Sequence, residues 1–378
     1  MRTLLIIDTA KLIKSLSRPN YSYISEESGD QIDLTRTFGG RGGRPIHISL
    51  PKQIKILPEV AGLFVGEGFF GRSIVFANSN EAAVEEVLEF LRQFNFPVKA
   101  YLEISTKDAQ NSFVDKCLEF WHKQIDVEIS RVRQRREFSN TTKHGTIHLI
   151  VNNSILSEVL DELIRQIKAK AENKKQISIG YLKGIIAAEG NINVKKTTGC
   201  VYMVRISAKK ESERRHYKRC LERAGIKIFC KDMPTISGEE GIRMGWKTTS
   251  GRAGAVIISR WDNFIKIAEL GLLDLSEDKK TKFSSYMLNN MFTKQFLEFS
   301  HFRHKDFTMK QAQEYFGFSG RKVNRLLTMW KWGYANRKTM GKHHIYRLNK
   351  SYESVFSLLQ SLNKSDRPLA SPLVERNL

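Results

Sequence analysis

Two glutamates, Glu67 and Glu189, each close a short run of small and apolar residues. The first run reads Val60-Ala61-Gly62-Leu63-Phe64-Val65-Gly66-Glu67-Gly68, and the second Leu182-Lys183-Gly184-Ile185-Ile186-Ala187-Ala188-Glu189-Gly190. A carboxylate directly after such a run suits neither a core, which penalises an unpaired charge, nor an ordinary solvated face. Two copies in one chain point to two carboxylates gathered at one place. Such a pair attracts a hard divalent cation. A cation held over a phosphate can activate water and stabilise a leaving oxygen. The plainer alternative is a pair of glycine-containing core helices whose glutamates merely reach solvent. Duplication of the same acid in matching contexts weighs against it.

The elements that must position these acids are helices. Small residues stand four apart in each run, Gly62 with Gly66 and Gly184 with Ala188. Positions i and i+4 share a helix face, so two backbones can approach closely there. Glycine within a helix costs ~1 kcal/mol relative to alanine, a cost that close packing would offset. Pro58 suits a helix start, and Gly68 and Gly190 are expected to end their helices in the left-handed conformation. Packed in parallel, the two helices would bring Glu67, Glu189 and two negative helix ends together.

Around each run the hydrophobic period alternates between strand and helix. After the first, strands are predicted near 73–77, 98–104, 127–134 and 146–152, with helices at 81–94, 110–123 and 155–171. After the second, strands are predicted near 191–196, 200–208, 226–231 and 253–259, with helices at 210–224 and 261–270. Each half therefore runs motif helix, strands, helix, strands, helix, which is a long-period internal repeat. Residues 1–50 form an extension that is hard to read. It holds a strand or short helix at 3–15, a polar run Ser25-Glu26-Glu27-Ser28 before Gly29, and a strand-like Ile46–Leu50. The glycine cluster at 39–43 lacks the Lys-Ser/Thr of a phosphate-binding loop and reads as a flexible basic loop.

The charge balance narrows the partner. Over 378 residues, 62 Lys and Arg against 40 Asp and Glu leave a net charge of +22, which favours a polyanion, nucleic acid before an anionic membrane. Cys117, Cys200, Cys220 and Cys230 are scattered, so neither a zinc knuckle nor a disulfide framework is indicated, and a reducing intracellular compartment fits, cytoplasm or organellar matrix. His144/His148 and His301/His304 have no cysteine partners at ligand spacing and read as ordinary strand or surface histidines. The apolar stretch Leu4–Ile7 is too short for a signal segment, and no run reaches membrane-spanning length.

The paired motif resembles the two motifs of LAGLIDADG (dodecapeptide) homing endonucleases in their single-chain, two-repeat form, over roughly residues 50–275. The resemblance implies an α+β fold of two pseudo-symmetric αββαββα repeats forming a DNA-binding saddle. It also implies Mg2+ or another divalent cation as cofactor, double-stranded DNA as partner, no membrane, and action as a monomer that cleaves both strands. Glu67 and Glu189 match the family's metal-binding acid at the eighth motif position and would be catalytic. Val65 and Ala187 stand where the motif has an earlier acid, on the helix body.

Basic side chains on the predicted strands would then meet DNA. Arg131, Arg133 and Arg135 alternate and so share one strand face; Lys195, Arg205 and Lys247 lie in or near strands of the second repeat. The helix at 210–224 is dense in charge and suits a solvated or phosphate-contacting surface. Beyond a helical linker at 276–302, residues 303–350 look like a small winged helix-turn-helix domain. Thr308–Phe316 forms one helix closed by Gly317, and Ser319 caps the next, in which Val323, Leu326, Leu327 and Trp330 face a core. Arg321, Lys322, Asn324 and Arg325 point elsewhere and would contact DNA, and two strands surround Gly341. Residues 351–378 are a helix and a polar tail. The chain thus divides into 1–50, 51–172, 173–275, 276–302, 303–350 and 351–378. The competing expectation is a DNA-binding regulator on the same fold that does not cut.

Overall fold

The computed structural model describes residues 2–16, 21–38, 45–105, 111–135, 143–228, 233–244, 254–317 and 320–365, a mixed α+β structure. The N-terminal segment comprises β1 (Leu5–Asp8), α1 (Thr9–Lys14), β2 (Tyr21–Ser28), β3 (Gln31–Phe38), β4 (Ile46–Pro51) and β5 (Gln53–Ile56). Strands β2, β3 and β4 form an antiparallel meander, and β1 pairs with β5. The polar run at 25–28 is strand, not connection. Only one face of this sheet is covered: Ile32, Leu34, Ile48 and Leu50 are buried, while the other face and the β2 edge meet water and accept polar residues. Arg36 ties the sheet to the helix at 154–171 by donating to Glu158 (3.2 Å) and Ser154 (2.9 Å).

The first unit runs α2 (Pro58–Glu67), β6 (Gly68–Phe70), β7 (Ile74–Asn78), α3 (Glu81–Arg92), β8 (Lys99–Ser105), α4 (Asn111–Gln124), β9 (Ile129–Arg135), β10 (Thr146–Val151) and α5 (Ser154–Ala171). Asn80 and Asn153 cap α3 and α5 by accepting from the amides of Ala83 and Leu156, satisfying donors that a helix start leaves open. The stripes Val84, Val87, Leu88, Leu91 and Leu156, Val159, Leu160, Leu163 are buried against the sheet. Sheet order is β6-β7-β10-β8-β9. Strands β8 and β10 are antiparallel neighbours, and β9 lies outside β8 in parallel. A parallel neighbour requires a crossover, which α4 supplies.

The second unit runs α6 (Lys175–Glu189), β11 (Gly190–Lys195), β12 (Cys200–Ser207), α7 (Glu211–Ala224), α8 (Gly238–Arg243), β13 (Ala255–Ile258) and α9 (Trp261–Glu269), with antiparallel order β11-β12-β13. The strand expected at 226–231 is not formed by Ile226–Ile228, and 229–232 lie outside the described residues; Met233 makes an isolated bridge to Ala255. Helix α8 was not legible in the sequence.

The C-terminal part comprises α10 (Glu277–Leu288), α11 (Met291–Glu298), a 3-10 turn at Phe299–Phe302, β14 (Asp306–Thr308), α12 (Met309–Tyr315), α13 (Gly320–Lys331), β15 (Ala335–Met340), β16 (His343–Leu348) and α14 (Lys350–Ser365), with sheet order β14-β16-β15. Thr308 and Gln311 form a capping box at α12. On α13 the buried residues are Val323, Leu326 and Met329; Leu327 and Trp330, expected in the core, are half-buried. Ser319 lies outside the described residues. Trp261 of α9 stacks on Phe292 of α11 (4.4 Å) and donates to Thr293 (2.9 Å), fastening this part to the second unit. Among the described residues no helix is long and apolar enough to cross a membrane.

Candidate active site

Helices α2 and α6 lie side by side and parallel, in backbone contact through their glycines. A Cβ at Gly62 would meet the Tyr181 carbonyl oxygen at 2.1 Å, one at Gly184 the Glu59 carbonyl oxygen at 2.0 Å, and one at Gly66 the Ala188 Cβ at 2.4 Å. No side chain fits at those distances, so the small residues four apart are what permits the approach. Pro58 to Phe64 are all buried, as expected for a helix surrounded by other elements.

The close contact runs to the C-terminal ends, where Glu67 and Glu189 emerge together. A methyl at Gly66 would be 3.4 Å from Glu189 Cγ, so the second acid lies against the last turn of the first helix. Gly68 and Gly190 do not adopt the expected left-handed conformation. Their backbones are extended (φ −93°, ψ 153° and φ −76°, ψ 143°), because each helix passes directly into a strand. Glycine is needed for a steric reason instead: a Cβ would lie 2.5 Å from the Phe64 carbonyl oxygen at Gly68 and 2.4 Å from that of Ile186 at Gly190.

Electrostatics mark this point. Burial, reinforced by Glu189, pushes the Glu67 carboxyl up to about 7, and Lys279 opposes the rise. Burial also raises Glu189, again opposed by Lys279. Lys279 is a member the sequence did not reveal. It arrives from α10, in the stretch read as a linker, and donates to the carbonyls of Ile186 (2.9 Å) and Ala187 in the last turn of α6. There it meets the negative end of the helix dipole. Burial lowers its own ammonium to about 8, while the two acids favour its charged form.

Beside Glu67 opens a cleft of about 710 Å³ whose lining includes Glu103, Arg135, His148, Asn78 and Lys279. Its floor is the outer face of the first sheet. Tyr101 and His148, opposite one another on β8 and β10, stack at 4.3 Å and share a hydrogen bond of 2.9 Å at Nδ1. Arg135 donates to Glu103 (3.1 Å), and the Arg131 guanidinium lies 5.0 Å over the Tyr101 ring. The bulge between β8 and β9 turns Arg131, Arg133 and Arg135 onto this face, and all three are exposed.

Other sequence-selected residues are dispersed. Lys195 is exposed at the end of β11; Arg205 is half-buried on β12 opposite Asn191. Lys247 lies outside the described residues. Arg321 and Asn324 are exposed on α13, but Lys322 and Arg325 turn inward toward α11: Lys322 pairs with Glu298 (2.9 Å), and Arg325 donates to Gln295 (3.2 Å) and covers Phe292. Expecting those two on the outer face with Arg321 was an error of helix phase. The β15–β16 hairpin around Gly341 carries Arg337, Lys338 and Lys342, exposed and overlooked in the sequence.

The two acids could hold a hard cation. Among the described residues no cluster of three His, Cys, Asp or Glu is placed to bind a metal. Two carboxylates side by side, with Glu67 lining an open cleft, would suit an ion such as Mg2+ that keeps most of its waters. A second grouping, Cys220 Sγ 3.6 Å from His216 and His216 2.6 Å from Glu172, has the look of a nucleophilic triad. Burial pushes that thiol up to about 12, which disfavours the nucleophilic thiolate. Two of the remaining histidines stack on rings, His144 on Phe120 (3.8 Å) and His301 on Tyr315 (4.0 Å).

No family profile and no curated protein matches the chain. Among solved structures there is a likeness to one described as mesophilic variants of the homing endonuclease I-DmoI, at 15% identity and a TM-score of 0.30, covering 56% of this chain and 86% of that one. A likeness this weak carries no functional conclusion by itself.

Proposed function

We propose that the chain is a site-specific, metal-dependent DNA endonuclease of the homing type, cleaving both strands of a duplex. The observation that carries the reading is the parallel α2–α6 contact, which delivers Glu67 and Glu189 to one point, with Glu67 and Arg135 lining the cleft beside it. The topology is consistent with it. Without α4 and β9 the first unit reads αββαββα with sheet order β6-β7-β10-β8, and the described part of the second follows the same path. In this reading the two sheets form a saddle over DNA. The order of α11, β14, α12, α13 and the β15–β16 hairpin supports a winged helix domain, with Arg321 and Asn324 on its groove-facing helix and the Gly341 turn as its wing.

Glu67 and Glu189 would hold Mg2+, which when bound supplies charge stabilisation and an activated water. Lys279 places an ammonium against the end of α6, where it favours the ionised form of the two acids against the effect of burial and would face an incoming phosphate. Arg131, Arg133, Arg135, Lys195 and Arg205 would meet phosphates and base edges. The test is direct. Incubated with a randomised duplex library and Mg2+, the protein should release fragments cut at one fixed position within a shared sequence.

One observation favours the alternative of a DNA-binding regulator that does not cut. The Lys279 ammonium already offsets the acid pair without any metal. Recovery of bound but intact duplex in the same experiment would establish that reading.

Two further outcomes follow from the acid pair. A metal must displace the proton from Glu67, so below about 7 affinity should fall roughly tenfold per pH unit and level off above. In the metal-free protein the same shift acts on stability with the opposite trend. The folded state binds more protons than the unfolded one between the ordinary carboxyl range and about 7, so stability declines as pH rises through that window. Mn2+ titration calorimetry from pH 5.5 to 8.5 (about the range set by these shifts) checks the first. Lys279→Met should move the metal-binding inflection upward, since the opposing ammonium is gone, whereas Lys279→Arg should hold it near its place.

A further inference from the structure

We propose that the α4–β9 insertion is a DNA-contacting extension that makes the footprint on the duplex longer on the first unit's side than on the second's. This rests on the nuclease reading and adds to it which flank of the target is held, and by what.

Strand β9 is the edge of the first sheet, parallel to β8, and it adds one strand beyond the four that the unit otherwise needs. Neighbouring strands lie about 4.8 Å apart, so the outer face is extended by that much, away from the acids. The second unit has no counterpart among its described residues; the connection between α7 and β13 carries α8 instead. Helix α4 leads into the added strand. Its Cys117 and Trp121 are buried, and Trp121 donates to the His144 carbonyl (2.8 Å) just before β10. The insertion is therefore anchored to the body of the unit.

The chemistry of the face is specific. Arg133 and Arg135 pair in register with Glu103 and Ser105, and Arg131 stacks over Tyr101, so all three share the outer face of the sheet, and Arg135 reaches the cleft beside Glu67. Glu103 offsets only part of this charge, through its pair with Arg135 at 3.1 Å, so the exposed face stays net positive and suits an anionic partner. Guanidinium matches phosphate with two parallel hydrogen bonds. The added strand widens the face by about 4.8 Å, or roughly one to two base pairs of backbone.

The experiment compares the protein with a variant carrying Arg131→Ser, Arg133→Ser and Arg135→Ser, and with the matching triple lysine variant. The probe is a duplex recovered from the randomised library, with Ca2+ replacing Mg2+ to keep it intact. The serine variant should stay folded and keep its cleavage position, lose about one to two base pairs of hydroxyl-radical protection on one flank only, and show a salt dependence of binding shallower by about 2–3 in log–log slope. The lysine variant should keep both footprint and slope. An unchanged footprint and slope in the serine variant, with cutting intact, overturns the extension and leaves the nuclease standing. Failure of the unmodified protein to protect or cut any recovered duplex overturns both.

Discussion

Glutamine in place of Glu189, or of Glu67, is expected to slow double-strand cleavage by about a thousandfold or more, a loss of about 4 kcal/mol in transition-state stabilisation. Affinity for the uncut duplex should stay within about threefold, because neither acid lies on the arginine-bearing strands. The substitution keeps shape and hydrogen bonding but removes the charge that confines a cation between two negative helix ends. It also removes a carboxylate that burial penalises, a penalty that Glu189 adds to at Glu67, so each single variant should unfold at slightly higher temperature than the parent in metal-free buffer near neutral pH. Cleavage on a selected duplex, binding in Ca2+, and a thermal melt together isolate the effect. Variants that cut as well as the parent would show that the active site lies elsewhere.

Gly184→Ala is expected to destabilise the fold by about 3 kcal/mol or more, beyond the usual cost of an overpacked methyl. The added Cβ meets backbone atoms on α2, the Glu59 oxygen at 2.0 Å and the Leu63 nitrogen at 2.7 Å. No rotamer change can relieve that, so the helices must separate, and the acids at their ends with them. Alanine's better helix propensity returns only ~1 kcal/mol. At Gly66 the obstacle is instead the Ala188 methyl, at 2.4 Å. Gly66→Ala should therefore be rescued by Ala188→Gly, which transfers one methyl across the interface. Chemical denaturation of the four proteins of that cycle measures the coupling. Additive losses at Gly66 and Ala188 would mean that the two helices do not pack in this register.

The helix pair was legible because its signal is local. Small residues four apart and an acid at the end of each run constrain a helix face whatever surrounds it, and the structure places both acids together. The reason assigned to Gly68 and Gly190 was wrong although the residues were well chosen: a glycine marks a close approach as readily as a left-handed turn. The first unit's greater length was visible, but not its cause. Strand β9 alternates like any other, and only its partner reveals that it runs parallel to β8 and stands outside the four-strand order. Helix phase on α13 failed for Lys322 and Arg325 for a related reason. Long cationic side chains can cover aromatic rings such as Phe316 and Phe292, so polarity alone does not place them on the solvent face.

By itself the sequence determined the basic character, the two glycine-bearing helices and the pair of acids at their ends, all properties set by residue type and short-range period. What the tertiary structure alone decided is the company those acids keep. Lys279 reaches the Ile186 carbonyl from 93 residues away along the chain, and the Tyr101–His148 floor is a cross-strand pair. No period in a sequence encodes contacts between elements so far apart. They exist because burying the faces of α2, α6 and the two sheets leaves one arrangement in which the helix ends, a distant ammonium and an arginine-edged cleft coincide.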